Sequence, residues 1–139
     1  MSDYFIAVDP GREKTGIAIL SLTGDVAWHD IVNSMYFLDE IKNIVAEYDT
    51  NLLVIGNGTS SKYKQELLKK ELSLLNIITV DEYRTTDEAR KLYFEDNPPR
   101  GLKKLIPLGM QTPPVPVDDY AAIAIGKRYL TLLNKKSHF

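Results

Sequence analysis

An almost unbroken apolar run, Tyr4-Phe5-Ile6-Ala7-Val8, is halted by Asp9-Pro10-Gly11, which predicts a buried strand ending in a turn. Gly16 to Leu22 repeats the pattern as a second strand. After the Thr23-Gly24-Asp25 turn, Val26, Trp28 and the stretch Asp30 to Val32 predict a third, so the chain opens as an antiparallel meander. The period then changes. Phe37, Leu38, Ile41, Ile44, Val45 and Tyr48 recur at helical spacing behind Ser34, a candidate N-cap. Asn51 to Ile55 form a short strand stopped by Gly56-Asn57-Gly58, and Ser60 or Ser61 caps a helix running to about Leu75. Residues 76–80 form a last strand before Asp81-Glu82. Thr86 caps a helix from about Asp87 to Glu95, which Asn97-Pro98-Pro99 stops.

Residues 97–117 hold six of the seven prolines and have no period, so they read as a long loop, a feature usually functional or mobile in a compact domain. From Asp118 to Asn134 a final helix carries Ala121, Ala122, Ala124 and Ile125, small enough to pack closely on a sheet. A hairpin-linked start followed by alternating strands and helices predicts an α/β fold: a mixed five-stranded sheet, three antiparallel strands then parallel ones, with helices on both faces. A chain of 139 residues, 44% of them hydrophobic, suits a single domain over residues 1–139.

Composition narrows the chemistry. No apolar run approaches the roughly 20 residues that cross a bilayer, so a soluble, cytoplasmic protein without a membrane partner is expected. The absence of cysteine excludes disulfides, thiolate zinc and cysteine nucleophiles, and two distant histidines, His29 and His138, make no His-rich metal site. Any metal is therefore held by oxygen, which favours magnesium or manganese. Charge is unevenly distributed: residues 1–60 hold three bases against nine acids, residues 61–139 fourteen bases against ten. An acidic protein thus has room for a local cationic surface.

Acids stand at element ends: Asp9 after the first strand, Asp81 and Glu82 after the last, Asp118 and Asp119 opening the final helix. The crevice beyond the carboxyl ends of parallel strands is where such sheets bind ligands. Carboxylates gathered there repel one another and call for a cation. Two ions about 4 Å apart would serve an in-line phosphoryl displacement with no Cys or His. Each acid also has a plainer reading, as turn starter or helix cap. Gly56-Asn57-Gly58 lacks the third glycine of a dinucleotide fingerprint, and Gly11 to Gly16 fails as a phosphate loop for nucleotides. Arg12, Lys14 and Thr15 could still reach backbone phosphates beside Asp9, with Asn57, Lys62, Lys64, Arg100, Lys103 and Lys104 extending the track, although a plain helix surface suits Lys62 and Lys64 as well.

VDPGREKTGIAI at Val8 to Ile19 resembles the first hairpin of the RuvC-like branch of the ribonuclease H superfamily. VIGNGTSS at Val54 to Ser61 is similar to the corresponding segment of Tex transcription factors, and VDEYRTTDEA at Val80 to Ala89 to a motif of the YqgF pre-ribosomal-RNA nucleases. VDDYAAIAIGKRYL at Val117 to Leu130 is similar to the last helix. The resemblance implies a ribonuclease H-like fold with Asp9, Glu82 and Asp118 as catalytic metal ligands, Asp119 competing for the third place, and two Mg²⁺ or Mn²⁺ ions. It also implies a phosphate-contacting role for Arg84, although Tyr83 here separates Glu82 from the arginine. Resolvases carry a glutamate where this chain has Gly-Asn-Gly. The implied function is cleavage of structured RNA, such as pre-ribosomal RNA, or of branched DNA, such as a Holliday junction. A Tex-type module that binds nucleic acid without cutting is the alternative, and a homodimer is left open.

Overall fold

The computed structural model describes residues 3–107 and 110–137. Its strands are β1 (Tyr4–Asp9), β2 (Lys14–Ser21), β3 (Val26–Asn33), β4 (Leu52–Gly56) and β5 (Asn76–Val80). Its helices are α1 (Phe37–Tyr48), α2 (Ser61–Glu71), α3 (Thr85–Asp96) and α4 (Asp118–Ser137). The strands form one sheet in the order β3-β2-β1-β4-β5. β1, β2 and β3 pair antiparallel, while β4 runs parallel to both β1 and β5. This is the mixed α/β sheet that the hydrophobic pattern predicts. The register pairs Val8 with Ile55 and Gly56 with Val80. The carboxyl ends of β1, β4 and β5 therefore open on one edge.

Period-two alternation sorts the strands' side chains between two cores. Ile6, Val8, Ile17, Ile19, Leu53 and Ile55 pack with Phe37, Ile41 and Ile44 of α1 and Leu68 of α2. Phe5, Ala7, Ala18, Leu20, Val54 and Val80 pack with Ala89 of α3 and Ala122 and Ile125 of α4. Each fully buried Ile, Leu or Phe stabilises the fold by about 1.5–3 kcal/mol. The second core is built from smaller residues, which lets α4 lie close: a Cβ on Gly126 would stand 2.9 Å from Leu20 Cδ1 and 3.1 Å from Ala7 Cβ. Asp9 shares the parity of Phe5 and Ala7, so its side chain leaves β1 on the α4 side.

Several local expectations are corrected. Asn33 takes the capping role expected of Ser34, accepting the Met35 N–H at 3.0 Å and starting a 3-10 turn, Ser34–Tyr36, ahead of α1. The Ser34 hydroxyl is committed to the first hairpin instead, 2.9 Å from the Gly11 carbonyl oxygen and 2.7 Å from the Thr15 hydroxyl. Helix α2 ends at Glu71 rather than near Leu75, because the chain must turn there to enter β5, and Ser60 at its start makes no side-chain cap bond. Thr86 lies inside α3. Arg84 holds the cap position in a left-handed conformation (φ 64°), and the Thr85 hydroxyl donates to the Glu82 carbonyl at 2.8 Å. The proline-rich loop contains a 3-10 turn, Gly101–Leu105. Helix α4 continues past Asn134 to Ser137. His138 lies outside the described residues.

Candidate active site

Asp9 ends β1 in register with Gly16 of β2. Gly16 matters because a Cβ there would fall on the Asp118 carbonyl and 2.8 Å from the Asp119 nitrogen, so only glycine lets the first turn of α4 settle on β2 beside Asp9. Glu82 arrives from the other side, two residues beyond β5. Its backbone is set by Asn57, whose side-chain oxygen accepts the Glu82 N–H at 3.0 Å. Its carboxylate lies over the Gly56-Asn57-Gly58 turn. A Cβ on Gly56 would fall on the Glu82 carboxylate, and one on Gly58 would lie 2.6 Å from Oε2. The two glycines are thus a cradle. Where the resemblance expected a glutamate after β4, this chain makes room for the glutamate that follows β5.

The electrostatics follow from this crowding. Burial, then the charges of Glu82 and Asp118, and then a hydrogen bond with Glu82 push the Asp9 carboxyl up to about 7. Burial also raises Glu82, with a further push from Asp81, against the lowering effects of the Gly58 backbone and the Asp9 hydrogen bond. Asp118 is raised by burial and by Asp119, while Lys14 pulls it down. A proton on Asp9 can be donated to Glu82. With both groups ionised neither carries a donor, and Glu82 Oε1 is buried with no hydrogen-bond partner. A buried, unpartnered carboxylate oxygen pressed against a second carboxylate is a poor arrangement for a metal-free protein and a good one for a hard cation. Among the described residues no group of three or more acids or histidines is drawn together tightly enough to hold an ion unaided. The donor set that fits a cation is the Asp9–Glu82 pair, with Asp118 near enough to raise Asp9.

The other expected residues divide. Asp119 is turned away from Asp9 and bonds His29 Nδ1 of β3 at 2.7 Å, with the imidazole against the Tyr120 ring at a centroid distance of 5.0 Å. Tyr120 in turn donates to Asp96 at 3.0 Å, and its phenol is pushed up to about 12 by burial and by Asp96. Asp81 is exposed and accepts the Tyr83 N–H at 3.0 Å. Arg12 and Lys14 are exposed on the hairpin beside Asp9, as a phosphate contact requires. Thr15 is not: it is fully buried with its hydroxyl shared with Ser34, so the reach to phosphate expected of it is corrected to a hairpin brace. Arg84 is exposed and stands 5.5 Å from the centre of the Tyr83 ring. Lys62 is exposed on α2, and Arg100, Lys103 and Lys104 are exposed on the proline-rich loop, away from the acid pair in sequence.

Two supports had no clear sequence signal. Lys64, expected on the phosphate track or on a plain helix surface, is corrected to a buried brace: its ammonium donates to the Gly11 carbonyl at 2.7 Å and to Ser60 Oγ at 3.3 Å. It ties α2 to the turn that carries Asp9, and burial lowers its pKa. His29 anchors the first turn of α4 from β3, 90 residues away in sequence. Gly16 did carry a signal, since a glycine within an apolar strand marks a close backbone approach.

The chain is similar to Thermus thermophilus RuvC over 95% of its own length and 96% of that chain, with a TM-score of 0.57 and 11% identity. It is also similar to Fowlpox virus resolvase, solved with Holliday junction DNA, over 94% of this chain and 98% of that one, with a TM-score of 0.59 and 12% identity. No family model matches the chain, and no curated protein matches it in sequence. The ribonuclease H-like fold is thus shared with these two structures. No helix among the described residues is long and apolar enough to cross a membrane.

Proposed function

We propose that the chain, acting as one domain over residues 1–139, is a divalent-metal-dependent nuclease that hydrolyses phosphodiesters in branched DNA such as a Holliday junction. The observation that carries this reading is the buried contact of Asp9 with Glu82, its unpartnered Oε1, and Asp118 beside it. One structural neighbour, a resolvase solved with Holliday junction DNA, favours branched DNA as the substrate. Structured RNA, including pre-ribosomal RNA, is the second substrate class, supported by the YqgF-like Val80 to Ala89 segment.

Asp9 and Glu82 would hold one or two Mg²⁺ or Mn²⁺ ions, with Asp118 completing the set and Asp119 reserved for His29. When bound, such ions neutralise charge on the phosphoryl oxygens and ease ionisation of the attacking water. The residues present do the rest. Asp9 must give up its shared proton before it can act as a ligand. Lys14 and Arg12 receive the phosphates flanking the cut, and the Asn57 bond and glycine cradle fix the Glu82 carboxylate. A solvated phosphodiester is cut by water, with no covalent attachment to the protein.

One observation favours the second reading, a Tex-type module that binds without cutting: three acids are not already gathered into a complete cluster. A substrate panel separates the two. Labelled four-way DNA junction, duplex DNA, single-stranded RNA and structured ribosomal precursor RNA are incubated with Mg²⁺, Mn²⁺ or EDTA, and binding is measured as a function of salt. Metal-dependent cutting of junction or structured RNA supports the nuclease. Salt-sensitive binding without cutting in either metal supports the module. Binding that ignores salt contradicts both.

A further inference from the structure

Residues 97–117 contain three basic residues and no acid, in a protein whose net charge is -2. The segment leaves α3 at Asp96 and enters α4 at Asp118, and its two feet are clamped together by the Tyr120 hydroxyl on Asp96 at 3.0 Å. It is therefore a closed surface loop whose base sits two residues from the candidate metal ligand Asp118. Within it the 3-10 turn Gly101–Leu105 exposes Leu102 to 84% and Leu105 to 83%, with Ile106 at 43%. With three residues per turn, positions i and i+3 eclipse, so Leu102 and Leu105 project from one side of the turn. The shape is held from within: the Gln111 side-chain amide donates to the carbonyls of Lys103 (2.9 Å) and Ile106 (2.8 Å). Two aligned leucines left in water, rimmed by Arg100, Lys103 and Lys104, mark a contact surface for something both apolar and anionic.

We propose that this turn is a wedge that inserts Leu102 and Leu105 between unstacked bases at the branch of the nucleic-acid substrate while Arg100, Lys103 and Lys104 grip the flanking phosphates. The partner rests on the nuclease reading above. Charge complementarity supports it, as does the loop's attachment beside the acid edge. Nucleic acid meets both needs, because base faces accept apolar wedges and the backbone supplies the anions. The wedge would explain how a small domain selects branched over continuous duplex, since unstacking is cheapest where stacking is already interrupted.

The test uses the full chain in EDTA with a four-way junction carrying 2-aminopurine at the branch. Wild type is expected to raise 2-aminopurine emission on binding. The Leu102→Ser/Leu105→Ser protein should lose that rise and bind the junction about 10- to 100-fold more weakly, with linear-duplex affinity within about twofold of wild type. Changing Arg100, Lys103 and Lys104 to Ala together should weaken both ligands and flatten the salt slope by about 3. Leu74→Ser removes an equally exposed leucine (90%) beyond the end of α2 and should match wild type. An undiminished emission rise in the double-serine protein overturns the wedge, as does a dependence on these leucines for phosphatidylglycerol vesicles but not for junction. If wild type binds no nucleic acid, the nuclease reading fails with it. If wild type binds the junction in EDTA and cuts it once Mg²⁺ or Mn²⁺ is added, while the double-serine protein opens the branch normally, only the wedge fails.

Discussion

Replacing Asp9 by Asn should make the metal-free protein more stable at pH 8. The Asp9 carboxyl is pushed up to about 7 from an ordinary 3.8, so the folded state holds its proton more tightly than the unfolded chain does. A raised acid contributes nothing unfavourable while it is protonated in both states, below about pH 4. Stability is then lost as pH rises from there through about 7, and the loss is complete above that. At about 1.4 kcal/mol per pH unit the shift corresponds to about 4 kcal/mol at most, and partial exposure of the site reduces this to about 2–4 kcal/mol. Asparagine removes the charge yet keeps a donor for Glu82. For a chain of this size about 3–4 °C accompanies each kcal/mol, so the variant should melt about 6–15 °C above wild type at pH 8 in EDTA and close to it near pH 4. Thermal unfolding followed by circular dichroism across that range reads both numbers. Saturating Mn²⁺ should narrow the gap by raising wild type. A variant less stable than wild type at pH 8, or a wild type whose melting point does not fall between pH 5 and 8, would refute the reasoning.

Three further perturbations follow from the supports. Gly58→Ala puts a Cβ 2.6 Å from Glu82 Oε2 and should cost about 1–3 kcal/mol in chemical denaturation while lowering any metal-dependent cutting by about 100-fold through displacement of the carboxylate. His29→Ala leaves Asp119 without its partner and should cost about 1–3 kcal/mol. Because it loosens the first turn of α4, it should lower kcat with little change in KM, a split that steady-state kinetics resolves. Lys64→Met removes the tie from α2 to the Gly11 carbonyl, expected at about 1 kcal/mol, and hydrogen exchange should quicken in the Asp9 to Lys14 turn rather than across the sheet.

The elements that were legible in the sequence are those decided locally. The Tyr4 to Val8 and Asn51 to Ile55 runs are apolar enough to be strands in any context, and their Asp-Pro-Gly and Gly-Asn-Gly stops place the acid edge. The helix caps were less legible, because adjacent residues compete for one role. Asn33 and Ser34 are both good caps, and only the tertiary demand of Gly11 and Thr15 for the Ser34 hydroxyl leaves the cap to Asn33. At α3 neither threonine is the cap: the chain leaves Glu82 through a left-handed Arg84 that takes that position, and the Thr85 hydroxyl turns back to the Glu82 carbonyl. Asp9, Asp81, Glu82, Asp118 and Asp119 could be nominated because each stands at an element end, and the family resemblance is what singled out Asp9, Glu82 and Asp118 among them. That the Gly-Asn-Gly turn serves Glu82 could not be read, since it depends on β4 and β5 being neighbours in register. The same holds for Lys64, whose burial contradicts its type, and for Asp119, whose partner lies on the far strand.

The most direct measurement is the ratio of metal-dependent cleavage rates of wild type and Asp9→Asn on the best-cut member of the substrate panel, with binding of both proteins measured alongside. A carboxylate centre predicts a fall of about 1,000-fold or more in the Asn protein, which still binds the substrate and is folded. Cutting by Asp9→Asn at the wild-type rate would contradict the account, because the buried pair would then have no part in the chemistry.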